Sequence, residues 1–167
     1  MLTLTILALA LTAQDSPARH VRSTEPRIVT LIEAGIAGSA TFRSLIETLN
    51  ESDVIVYIKP NHTRQALGGY LAHSVVTRGN YRYLSISVQT AGSRRRLVSL
   101  LAHELQHAVE VAGAPEARDS ESLERLFSGL AIKFGCPSTS CFETRAAKDV
   151  EHIVNEEFAI PSPVVRR

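Results

Sequence analysis

Apolar positions recur along this chain at two periods, and the changes between them mark out its elements. Phe42, Leu45, Ile46 and Leu49 are spaced i, i+3, i+4, i+7, which predicts a helix through about Asn50, capped by Ser39 or Thr41. Just upstream, Ile28, Val29, Leu31, Ile32 and Ile36 fit neither period alone, and Gly35 and Gly38 are expected to interrupt whatever forms there. Val54 to Ile58 is a short β-rich run stopped by Lys59-Pro60. Gly69 to Thr77 and Tyr81 to Val88 read as two strands joined by a compact turn at Arg78-Gly79-Asn80. In the second, Arg82, Leu84, Ile86 and Val88 alternate with Tyr81, Tyr83, Ser85 and Ser87, the pattern of a strand with one buried and one polar face. At a sheet edge, its free backbone groups would be open to pairing with an extended peptide.

Helical spacing returns between Ser93 and Ala112, a stretch without glycine or proline. Ser93 is its expected cap, and Gly113-Ala114-Pro115 ends it. Its first turn carries Arg94-Arg95-Arg96, which reads as a solvated face. Asp119 or Ser120 then caps a helix with Leu123, Leu126, Phe127 and Leu130 as its stripe, and a last helix runs from Phe142 to about Phe158. The order predicts an α+β fold: a small antiparallel or mixed sheet packed on helices, with a cleft between the sheet edge and the 93–112 helix.

Composition narrows the class. A chain of 167 residues with 44% hydrophobic content supports one domain with a real core, here residues 27–160. A net charge of +1 gives no general attraction to nucleic acid or membrane, and the absence of Trp argues against a base-stacking platform. The apolar run Leu2 to Ala13 is too short to span a bilayer. It ends in small residues suited to signal-peptidase cleavage after Ala10 or Ala13, although no Lys or Arg precedes it. Residues 1–13 therefore read as a signal peptide, 14–26 as a flexible leader and 161–167 as a tail. The expectation is a secreted or periplasmic protein with no stable membrane association once the signal is removed. In that setting Cys136 and Cys141 are expected to form a disulfide closing a small loop.

The chemistry sits in His103-Glu104-Leu105-Gln106-His107. On a helix, His103 and His107 lie about 40° apart on one face, one turn above the other, where a single Zn²⁺ can use both imidazoles. Glu104 projects from the neighbouring face, within reach of a water on the metal and poorly placed as a ligand. Leu100, Leu101, Leu105, Ala108, Val109 and Val111 are expected to bury the rest of the helix.

A catalytic zinc keeps three protein ligands and one open position. Glu110 shares the histidine face, but three ligands along one helix form a line, so Glu110 reads as a supporting or partly solvated group. Glu116 and Asp119 remain possible, with surface charge and helix cap as their plainer roles. Glu143 is the favoured third ligand, because it opens a separate helix, the last one, with the small residues Ala146-Ala147 close behind it. His152 is expected to be exposed, and nothing in the spacing of His20, His62 and His73 argues for ligation.

These residues resemble the gluzincin group of zinc metallopeptidases in a minimal form, over roughly Thr41 to Phe158. The resemblance implies one Zn²⁺ per chain on His103, His107 and Glu143, Glu104 as general base, and hydrolysis of a peptide or protein substrate. Thermolysin-like gluzincins have an Asp four residues after the glutamate ligand; here that position is Ala147, so the support of the first histidine must be built differently. For the oxyanion-stabilising group only Tyr81 and Tyr83 offer themselves. A zinc hydrolase of a non-peptide amide and a catalytically silent binding module are the alternatives.

Overall fold

The computed structural model describes residues 17–61, 68–132 and 142–159. The signal-peptide reading of 1–13, the Cys136–Cys141 bridge, His62 and the 161–167 tail lie outside the described residues. In chain order the elements are β1 (Val21–Arg22), α1 (Pro26–Gly38), α2 (Ala40–Asn50), β2 (Val54–Pro60), β3 (Gly69–Leu71), β4 (Val76–Arg78), β5 (Tyr81–Val88), α3 (Arg94–Ala112), α4 (Ser120–Leu130) and α5 (Arg145–Glu157). This is the expected α+β fold with a small mixed sheet.

The sheet runs β1-β2-β5 in parallel, and both β3 and β4 pair antiparallel with the far side of β5. Two expectations change here. The strand Tyr81–Val88 lies inside the sheet, so the free edge on that side belongs to β3 and β4. The expected leader is ordered at its C-terminal end: Val21 and Arg22 form β1, with Val21 buried and Val56 N donating to His20 O at 2.7 Å. A single apolar residue in a polar stretch gives no local signal for a strand; β1 exists because β2 offers it an open edge.

The expected strand Gly69–Thr77 is broken. Leu71 pairs with Ile86 and Val76 with Tyr83, so the four residues 72–75 face only residues 84 and 85 of β5. The two extra residues form a bulge, a device that re-aims side chains. At the other end of β4, Gly79 takes φ 58° in the turn that returns the chain to β5. Pro60, expected to stop β2, is its last residue.

Ile28, Leu31, Ile32 and Gly35 form the buried stripe of α1, which runs through Gly35 but ends at Gly38, the second glycine expected to interrupt it. Phe42 and Phe158 pack where those glycines lie. Among the described residues no single helix is long and apolar enough to cross a membrane; α1 and α2 pass that test only as a pair bent by 113°. Ser39 makes the corner, accepting from Phe42 N at 2.8 Å and donating to Glu157 at the end of α5. Thr41 Oγ1 donates to the same carboxylate at 3.0 Å.

The helices α1, α2 and α3 share one core with the inward residues Val54, Val56, Ile58, Leu84, Ile86 and Val88. Alternation then sends Tyr57, Tyr70, Tyr81 and Tyr83, all the tyrosines of the chain, to the other face of the sheet.

Arg82 points inward with the core residues and is fully buried. Its guanidinium grips Asp53 twice, at 2.8 and 2.6 Å, and donates to the carbonyls of Val111 (2.8 Å), Ala114 (2.6 Å) and Ala117 (3.2 Å). These carbonyls lie at and just beyond the end of α3, where a helix leaves acceptors unpaired. A buried charge from β5 therefore ties the last turn of α3 to the sheet.

Candidate metal centre

Leu97, Leu101, Leu105, Ala108 and Val111 hold α3 in the core, and His103, Glu104 and His107 are buried with them. Leu100 and Val109, expected among the core residues, are half-buried. The two imidazole rings stand 5.0 Å apart and nearly perpendicular. Each Nδ1 meets a carboxylate: His103 lies 3.0 Å from Glu151 Oε2, and His107 lies 2.9 Å from Glu110 Oε2. An ionised carboxylate only accepts, so this network assigns the proton to Nδ1 on both rings and leaves Nε2 as the free donor to a metal.

Glu143 completes the group from outside both helices. The last helix begins three residues later than the sequence suggests, with Thr144 as its cap and Glu143 just ahead of it. Thr144 Oγ1 accepts from Ala147 N at 3.1 Å and donates to Glu110 Oε1 at 2.7 Å. One hydroxyl thus caps α5 and pins its start beside His107. Glu143 Oε1 is buried without a hydrogen bond, 3.4 Å from His103 Nε2. One ligand atom from each of His103, His107 and Glu143 lies within 4.8 Å of the others. A buried carboxylate oxygen left without a donor, beside two free imidazole nitrogens, fits a cation.

The charge balance points the same way. Four carboxylates, Glu104, Glu110, Glu143 and Glu151, surround two imidazoles, and among the described residues none of them pairs with Lys or Arg. Burial pushes the Glu104 carboxyl up to about 7, against the lowering influence of the two histidines. For His103 burial acts downward, but the hydrogen bond it donates to Glu151 and the charges of Glu104, Glu143 and Glu151 outweigh it and raise its pKa. The His103 shift reflects the negative charge around it, and the Glu104 shift its burial. Gly69 of β3 lies directly over Glu104: a Cβ there would stand 2.9 Å from Oε1. The free edge of the sheet therefore passes immediately above the carboxylate.

The other expected residues fall away from the site. Glu110 supports His107, as its place in line with the histidines suggested. Asp119 caps α4, accepting from Ser122 N at 2.8 Å, and Glu116 is exposed. His152 is exposed and pairs with Glu156 at 3.2 Å. His73 packs on Phe142 and His20 on Tyr81. Tyr81 and Tyr83 lie on the sheet face turned away from the helices, so neither serves as an oxyanion donor. Of the small pair after Glu143, only Ala147 is buried; Ala146 is exposed.

Glu151 and Thr144 were missed. Their signal was the stripe Thr144, Ala147, Glu151 and Val154, which is the face that α5 turns toward α3. Glu151, one turn after Ala147, is the carboxylate that supports His103. No family model, curated protein or solved structure matches this chain.

Proposed function

We propose that this chain is a zinc-dependent hydrolase and, more particularly, an exported peptidase of gluzincin type. The observation that carries the proposal is the convergence of His103, His107 and Glu143, with Glu104 buried beside them. Two imidazole nitrogens and one carboxylate oxygen, with a fourth position left over, are the donor set of catalytic zinc. Zinc held there supplies Lewis acidity and lowers the pKa of a coordinated water toward neutrality.

The protein supplies the rest. Glu104, buried beside the three ligands, takes the proton of the attacking water and returns it to the leaving amine nitrogen. Glu151 and Glu110 fix the orientation of the two imidazoles. The β3 edge above Glu104 offers backbone groups that align an extended peptide across the site. That edge favours a peptide over other amides, and the intact Glu104 favours turnover over a silent binding module.

Metal analysis and a peptide-cleavage assay test the proposal together. The parent is expected to hold about one zinc per chain, and His103→Ala with His107→Ala to hold none. Glu104→Gln keeps zinc and loses cleavage, because it removes proton transfer without touching coordination. Zinc retained in the double histidine variant would refute the metal centre. Cleavage at the parent rate by Glu104→Gln would remove Glu104 as the base.

A further inference from the structure

A cavity of about 320 Å³ opens beside the candidate metal centre, between α4, the β3–β4 bulge and Phe142. Its apolar walls are Leu123, Phe127 and Phe142, and its lining also includes Glu121, Glu124 and His73. Two of those walls adjoin the ligands themselves. The Phe127 ring meets the His107 ring edge-on at 5.4 Å, and Phe142 directly precedes Glu143. Phe127 and Phe142 stack on one another at 5.8 Å, making one continuous aromatic surface. The bulge carries His73 out against Phe142, so the free edge that crosses above Glu104 at Gly69 leads on toward this cavity.

We propose that this cavity is the specificity pocket of the site and selects a lysine or arginine side chain of the peptide close to the scissile bond. The proposal rests on the peptidase reading above. At the lower end of the range of ligand pockets, about 300–1,000 Å³, its size suits one side chain rather than a whole ligand. An aliphatic stem lies against Leu123 and the phenyl rings, while a cationic head reaches the two exposed carboxylates. A guanidinium or ammonium also gains from the ring faces. Glu121 is shared with Arg125, whereas Glu124 has no ion pair among the described residues. A purely apolar side chain would fill the walls and leave Glu124 unused; an acidic one would meet like charge.

The test uses the zinc-loaded protein and three blocked peptides that differ at one position, carrying Arg, Leu or Glu. Cleavage is read as kcat/KM, and binding separately, by calorimetry on the Glu104→Gln variant. The Arg peptide is expected to exceed the Leu peptide about 5–10-fold in both readouts, the scale of a partly exposed ion pair with a ring contact. The Glu peptide should be weakest. Glu124→Lys, an exposed position, removes the Arg preference, and Glu47→Lys, an equal charge change on α2, retains it. Cleavage with no Arg preference, or a preference untouched by Glu124→Lys, overturns the pocket and leaves the peptidase reading standing. Arg-selective binding without cleavage by the parent supports the pocket and sinks the peptidase reading. Neither binding nor cleavage of any peptide overturns both.

Discussion

Replacing Glu143 with alanine is expected to weaken zinc binding by well over 100-fold, whereas Glu110→Ala and Glu151→Ala each weaken it by about 10–100-fold, the usual cost of losing a group that orients a ligand. The difference follows from position. Glu143 Oε1 is buried, accepts no hydrogen bond and stands with His103 and His107 in one group of ligand atoms. Glu110 and Glu151 instead contact the Nδ1 atoms, on the far sides of the rings. Glu110→Ala also releases Thr144, so its loss should exceed that of Glu151→Ala, whose carboxylate is partly exposed. A competition titration against a zinc chelator, run on the three variants side by side, gives the ranking. Parent-like affinity in Glu143→Ala would take the third ligand away from this residue and leave α5 as a packing element.

Arg82→Met is expected to destabilise the fold by on the order of 2–4 kcal/mol, since it takes a buried donor from three carbonyls and the partner from a partly exposed Asp53. Against a typical domain stability of about 5–15 kcal/mol, that is a large share of the whole. Methionine fills the space but donates nothing, so the carbonyls of Val111, Ala114 and Ala117 lose the hydrogen bonds they now accept from the guanidinium. Asp53→Asn should cost less, since Asp53 is partly exposed and the amide oxygen still accepts. Acid separates the two contributions. The hydrogen bonds and charge of Arg82, working against slight burial, hold the Asp53 carboxyl below its usual range. The stability it contributes is therefore complete above the ordinary carboxylate value near pH 4 and is lost as pH falls through the lowered one. The gap between the parent and Asp53→Asn should stay constant at neutral pH and close below about pH 4. Urea midpoints across that range measure it; a parent-like midpoint for Arg82→Met would show that this cap carries no stability.

How much of this could be read from residues alone depended on whether a feature was local. The caps Ser39, Ser93 and Asp119 each act within three residues of themselves, and all three stand where the sequence put them. Helical spacing likewise brought His103 and His107 together. Glu143 was reachable because a line of ligands on one helix cannot close around a metal, although its place ahead of the cap, rather than within the helix, was not. The failures were long-range. β1 depends on an edge supplied some 35 positions later, at Val56 and Tyr57. The bulge that splits β3 from β4 reflects register against β5 and has no composition of its own. Arg82 did leave a trace, a charge in phase with Leu84, Ile86 and Val88, which marks either an error in the pattern or a buried cation with a task.

The placement of the tyrosines has a practical consequence for optical work. With no Trp in the chain, its ultraviolet emission comes from four phenol rings, all on the sheet face opposite the helices that carry the ligands. Tyr57 and Tyr83 stack at 6.4 Å and Tyr81 meets His20 edge-on, arrangements that survive only while the strands are paired. Stripping a cation from the far side disturbs none of these contacts; separating the strands destroys them all. Intrinsic fluorescence thus reads the integrity of the sheet and does not report on His103 or His107. Under the zinc site proposed above, one sample can therefore tell loss of the metal from loss of the fold.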